Sequence, residues 1–376
     1  MSGIYIHIPF CKSRCIYCDF YSTTLLNKRD AYIKALSLEI GKRNDYLNDK
    51  NINTLYFGGG TPSLLDEQQF ISIFEALRSN YDLSGVKECT IEANPDDLSP
   101  DYLSMLKNIG FNRLSIGIQT FNDEILKTLH RRNNSEQSLQ ALTDAGNAGF
   151  GNISVDLIYG LPGQTFEIWQ NDVEQAIEAG ITHISAYGLT FEPGTHLHLM
   201  MEKGQIAKPS DETYLSHYDY LINRLKKAGF IHYEISNFCK PGYYSIHNSS
   251  YWKSIEYIGF GPSAHSYNGK ERQWNYSSLN KYINAICNDK QYFEAEELDR
   301  STRYNDYIVT ALRTMWGINL DIIKERFGKE FSDYCLKNAK PHIERGKLKK
   351  DKQQLKLSED GVFVSDDIMC DLIWVE

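Results

Sequence analysis

Short apolar runs recur along the first half of the chain, and a stretch with helical spacing follows each of them. The runs predict strands at Gly3–Ile8, Asn53–Phe57, Lys87–Glu92, Arg113–Ile118, Ile153–Leu157 and His183–Leu189. The amphipathic stretches between them predict helices at Arg29–Lys42, Asp66–Ser79, Asp101–Ile109, Glu136–Ala148 and Phe166–Ala179. Strand and helix in strict alternation make a parallel sheet with helical crossovers, an α/β fold. Six such units are too few for a closed eight-fold barrel, so the pattern predicts an open, partial (βα)6 barrel.

Beyond residue 195 the pattern loosens. A helix at Asp211–Ala228 and a strand near His232–Ser236 are followed by an aromatic, glycine-containing stretch. From about Glu294 the helical runs Arg300–Thr314 and Leu320–Phe327 precede a basic segment, Arg345–Lys352, and an alternating stretch, Leu355–Val364. That order predicts a smaller winged-helix-like α+β domain with the basic segment leading into the wing, its charges solvated. The expected division is 1–195, a partial barrel; 196–290, an extension of it; and 291–376, the C-terminal domain.

Composition narrows the functional class. With 376 residues, a net charge of −9 and 41% hydrophobic residues, the chain reads as a globular protein. The acidic balance argues against general nucleic-acid binding. No apolar run approaches a membrane span, and the N-terminus lacks the pattern of a signal peptide. The eight cysteines are unevenly spread: Cys11, Cys15 and Cys18 crowd into eight positions and the rest are scattered. Clustered thiols without a secretion signal predict a metal site in a reducing, cytoplasmic compartment.

Candidate chemistry gathers where the strands end. The cysteine loop follows the first strand, Gly58-Gly59-Gly60-Thr61-Pro62 the second, and Glu92-Ala93-Asn94-Pro95 the third. Gln119 ends the fourth, Asp156 and Gly160-Leu161-Pro162-Gly163 end the fifth, and Tyr187–Gly194 ends the sixth. Parallel α/β folds bind their ligands at this rim. Three thiolates can hold three irons of a cubane cluster and leave the fourth iron open to a small molecule. A structural zinc site, with His7 as fourth ligand, and three coincidental core cysteines remain as alternatives.

Cys11-x-x-x-Cys15-x-x-Cys18, with Tyr17 before the last cysteine and Gly58–Pro62 after the second strand, resembles the radical S-adenosylmethionine proteins. The preceding Tyr5-Ile6-His7-Ile8-Pro9-Phe10 narrows this to the group of oxygen-independent coproporphyrinogen III dehydrogenases and related heme chaperones. The likeness runs on through Gly117-Ile118-Gln119 and Asp156–Pro162 to the C-terminal module. It implies a [4Fe-4S] cluster on Cys11, Cys15 and Cys18. It also implies S-adenosylmethionine held by Tyr5, Tyr17, Gly59, Gly60, Thr61, Glu92, Gln119, Arg131 and Asp156.

Three features point to the chaperone branch. Phe20 stands where the dehydrogenases carry a fourth cysteine. Only ten residues precede Cys11, where those enzymes have a long extension. His247-Asn248-Ser249-Ser250-Tyr251-Trp252 matches the chaperones' H-N-x-x-Y-W signature. The resemblance therefore implies heme bound through His247, Asn248, Tyr251 and Trp252, with His265 and Cys239 as further candidates near the motif. It implies delivery of heme to apo-proteins such as respiratory-chain components, by a cytoplasmic protein working as a homodimer or at the inner face of the membrane. Radical decarboxylation of coproporphyrinogen III is the alternative.

Overall fold

The computed structural model describes residues 2–375. Its centre is a run of six parallel strands: β1 (Ser2–Ile8), β2 (Ile52–Gly59), β3 (Glu88–Ala93), β4 (Arg113–Gln119), β5 (Ile153–Tyr159) and β6 (His183–Gly188). Alternation along these strands separates two faces. Ile4, Ile6, Leu55, Phe57, Ile91, Leu114, Ile116, Val155, Leu157 and Ile184 belong to one apolar core, packed with the crossover helices. The intervening residues are mostly polar: Tyr5, His7, Thr54, Tyr56, Glu88, Glu92, Arg113, Ser115, Ser154, Asp156, His183 and Ser185. The outer face holds the fold together, and the inner face carries chemistry.

The sheet is wider than its six predicted strands. β7 (Ile231–Glu234) and β8 (Asn237–Cys239) extend it antiparallel beyond β6. On the other edge β9 (Tyr257–Phe260) joins β1 in parallel, followed by antiparallel β10 (His265–Tyr267), β11 (Glu271–Asn275) and β12 (Phe293–Glu297). The result is a twelve-stranded open sheet among the described residues. A buried polar network fastens the new edge. Arg43 donates to Gly259 O at 2.9 Å and Gln273 Oε1 at 2.8 Å, and Glu39 accepts from Gly261 N at 2.8 Å and Asn275 Nδ2 at 2.7 Å. Paired and hydrogen-bonded in this way, the two charges can be buried together.

The C-terminal module has its own apolar core, built from Tyr304, Ile308, Leu312, Phe327, Phe331, Leu355 and Leu372 among others. A helix at Lys329–Glu344, absent from the sequence pattern, lies between Leu320–Phe327 and the wing. The expected alternating stretch also corrects: the wing is β14 (Leu348–Asp351) and β15 (Gln354–Leu357), and the chain then leaves the sheet. At Gly361 a Cβ would meet Lys347 O at 2.0 Å, so close approach of backbone turns the chain away from a longer strand. β13 (Ile318–Asn319) completes this small sheet, and the basic segment is its solvent-exposed hairpin. Among the described residues, no helix is long and apolar enough to cross a membrane.

Candidate functional site

A cavity of about 510 Å³ opens at the C-terminal ends of the parallel strands. One wall is the loop after β1. Thr23 N donates to Pro9 O at 2.6 Å and Cys11 N to Thr23 O at 2.9 Å, closing this loop on itself. Ile16 ties it to the barrel: its N–H donates to Leu129 O at 3.4 Å, and its carbonyl accepts from Leu197 N at 2.9 Å. Cys11, Cys15 and Cys18 are unpaired by disulfides and all line the cavity. Thr61 Oγ1 donates to Cys11 Sγ at 3.4 Å and Arg131 Nη1 to Cys15 Sγ at 3.6 Å, donors that suit sulfur carrying negative charge. Burial pushes the Cys11 thiol up and the Cys18 thiol up to about 11, so iron binding there releases protons.

Gly59 and Gly60 end β2 beside the thiols. Gly59 has φ +108° and a Cβ there would lie 2.6 Å from the His7 ring; at Gly60 a Cβ would lie 2.8 Å from Phe10 O. Only glycine lets this segment pass between the first strand and the cavity. Glu92 accepts from Gly59 N at 3.0 Å and from the Tyr56 hydroxyl at 2.8 Å. Its burial raises its pKa to about 7. Asp156 accepts from Ser115 Oγ at 3.2 Å, and burial raises its pKa too. Gln119 lies at φ +72°, past a register shift in β4, and this turns its side chain to the rim. Arg131 donates from Nη2 to Gly117 O, while its buried Nε has no partner among the described residues.

Of the residues expected at S-adenosylmethionine, Tyr17, Gly59, Gly60, Thr61, Glu92, Gln119, Arg131 and Asp156 line this one cavity. Tyr5 does not; it sits behind the wall, stacked on Tyr56 with ring centres 6.1 Å apart and bonded to His7 Nδ1 at 3.1 Å. Tyr187, at the end of the sixth strand, lines the cavity as well, and so do Tyr56, Ser115 and Ser185, which the sequence did not single out. Period two along β2, β4 and β6 was the signal for them, since it puts them on the face of Glu92 and Asp156.

The residues expected to bind heme lie elsewhere than on an open surface. They form a helix, Ile246–Trp252, on the inner face of the sheet. Glu88 holds its start, accepting from Ile246 N at 2.7 Å and His247 N at 3.0 Å. His247 is 1% exposed. Its Nδ1 bonds Thr54 Oγ1 at 2.8 Å, its Nε2 bonds the Tyr251 hydroxyl at 2.8 Å, and its ring stacks on Tyr56 at 5.0 Å. Burial lowers its pKa to about 3, so the imidazole is neutral. In this arrangement the histidine, at the foot of a polar barrel, satisfies both of its neighbours. Tyr251 packs edge-on against Tyr257, the half-buried Trp252 leaves its indole N–H unpartnered among the described residues, and only Asn248 of the four reaches the cavity.

Comparison with known proteins agrees with this architecture. The family model described as the Radical SAM superfamily matches residues 5–176, and that of the HemN C-terminal domain matches 298–364. The heme chaperone HemW of Lactococcus lactis is 34% identical over 96% of this chain and 94% of its own. That of Bacillus subtilis is 33% identical over 98% of both. The chain belongs to the HemW family. The coproporphyrinogen III oxidase HemN of Escherichia coli superposes with a TM-score of 0.85 over 99% of this chain and 89% of its own. At 24% identity that likeness shows the shared fold alone. The radical S-adenosylmethionine fold of the HemW family thus supplies the cavity, and the helix Ile246–Trp252 contributes Asn248 to its lining.

Proposed function

We propose that this protein is a heme chaperone, which binds heme and passes it to apo-proteins such as respiratory-chain components. The relation to HemW proteins along nearly the whole chain carries this reading. Cys11, Cys15 and Cys18 would hold a [4Fe-4S] cluster. All three thiols line the one cavity, and a cubane cluster takes one thiolate on each of three irons.

S-adenosylmethionine would occupy the space beside the cluster. Arg131, with its unpartnered buried Nε, is a suitable fork for its carboxylate. Gly59, Gly60 and Thr61 would meet its amino group by backbone approach, and Glu92, Gln119 and Asp156 would hold its remaining polar groups. The cofactor pair supplies one-electron chemistry when bound; the chain's own groups orient it and keep it from solvent. The exposed Phe20 at the cavity mouth provides a flat apolar contact where the dehydrogenases have a cysteine.

Anaerobic titration of the cluster-loaded protein with hemin tests the reading. A saturable, stoichiometric Soret band is expected, and a spectrum that is only the sum of free hemin and protein overturns it.

A further inference from the structure

Arg113 opens β4 on the inner face of the barrel and is 1% exposed. Among the described residues its guanidinium makes no ion pair, and its buried Nε and Nη1 have no hydrogen-bond partner. A guanidinium stays charged at any ordinary pH, and burying it without a partner is strongly unfavourable. Where such a group serves the fold alone, this chain supplies partners: the equally buried Arg43 bonds Glu39, Gly259 and Gln273. Arg113 has none of these, so its charge has another use.

Strand register shows what it serves. Arg113 pairs with Thr90 on β3, one inner-face step below Glu92. On its own strand it lies one such step below Ser115, which donates to Asp156 at 3.2 Å. Four buried carboxyl groups face this interior. Glu88 is taken up by the start of the helix Ile246–Trp252, and Glu234 by Asn237. Glu92 and Asp156 remain, and both line the cavity. Their own hydrogen bonds come from neutral donors only: Tyr56 and Gly59 N for Glu92, Ser115 and Ser185 for Asp156.

The surrounding charges leave this work to few groups. Burial pushes both carboxyls up, Glu92 to about 7, and the positive field of Arg113 opposes that rise in each. Arg131 adds to it at Asp156, but it also donates to Cys15 and Gly117. Tyr5, Tyr56, Tyr187 and Tyr251 face the same pair and are kept neutral by burial. His183 and His247 are kept neutral by burial and by Arg113 itself.

We propose that Arg113 is a positioning residue for S-adenosylmethionine, a buried cation without a partner of its own that holds Glu92 and Asp156 ionised as acceptors for the cofactor's polar groups. This rests on the cofactor reading above. Arg113 touches no ligand; it acts through the two carboxylates that do.

The test measures S-adenosylmethionine binding by anaerobic equilibrium dialysis, on the full cluster-loaded chain, from about pH 5.5 to 9. Wild type, Arg113→Met, Arg113→Gln and Arg113→Lys are compared, so the ligand's own titration is common to all. Exchanging an unpaired buried cation for an uncharged side chain of similar length is neutral or stabilising, and Arg113→Gln serves as a second neutral variant. Wild-type affinity is expected to fall as pH drops through about 7, where Glu92 takes up its proton. In Arg113→Met and Arg113→Gln the fall sets in about one unit higher, which makes binding at pH 7 up to about tenfold weaker. The curves converge at the alkaline end, and Arg113→Lys keeps the wild-type profile. A loss that is uniform across pH, with the profile unmoved, makes Arg113 a structural prop and overturns the proposal. So does an unchanged curve in both neutral variants, and so does a shift in Arg113→Lys as large as theirs. A wild type that binds no S-adenosylmethionine at any pH overturns the cofactor reading itself, which separates the two failures.

Discussion

Replacing His247 by alanine measures what the buried imidazole contributes to the fold. The substitution removes two hydrogen bonds of 2.8 Å, to Thr54 and Tyr251, inside a site that is almost inaccessible to water. Each partner hydroxyl left unsatisfied costs about 1–3 kcal/mol. Loss of the ring stacked on Tyr56 adds about 0.5–1.5 kcal/mol. Relaxation and entry of water trim the sum, leaving a loss of roughly 2–6 kcal/mol. Because whole-domain stability is commonly about 5–15 kcal/mol, the effect is large. Urea unfolding followed by tryptophan fluorescence measures it, and His247→Gln, which can still bond one neighbour, should recover part of the loss. Stability equal to that of the wild type would refute the reasoning.

Three further perturbations probe other levels of the structure. Glu92 titrates near 7 when folded against an ordinary value of 4.5, so the folded state binds more protons between those values and stability falls as pH rises through that window, by about 3 kcal/mol; Glu92→Gln should flatten the curve measured by denaturation from pH 4.5 to 7.5. Gly317→Ala puts a Cβ 2.2 Å from Leu355 O at φ +68°, and should lower the melting temperature of the C-terminal core while cluster loading persists. Cys15→Ala should reduce bound iron well below about four per chain with secondary structure intact by circular dichroism; full iron content would remove this cysteine from the ligand set.

The barrel half of the fold was readable because each strand carries its own alternation, and each crossover helix its own apolar stripe. Ile4-Tyr5-Ile6-His7-Ile8 announces a two-faced strand without help from any partner. β9 to β12 were not readable, since they are short and only β9 pairs with β1, some 250 residues away in sequence, the other three adding onto it in turn. The helix Lys329–Glu344 was hidden by Pro341 within it and Gly328 at its start, both ordinarily breakers. The rim loops were visible as motifs, and most of their residues meet in one cavity. Burial was not visible: nothing in His247-Asn248-Ser249-Ser250-Tyr251-Trp252 says that Glu88 and Thr54 will lock the histidine inward.

The central claim is that this fold carries heme instead of turning over a porphyrinogen. The direct measurement is made anaerobically on the cluster-reconstituted protein in two cells. One receives hemin and then an apo-protein that accepts heme; the other receives coproporphyrinogen III, S-adenosylmethionine and a reductant. The account predicts loss of the protein-bound heme spectrum with matching gain by the acceptor in the first cell, and no protoporphyrinogen in the second. Repeated turnover to protoporphyrinogen, with no heme passed on, would contradict it.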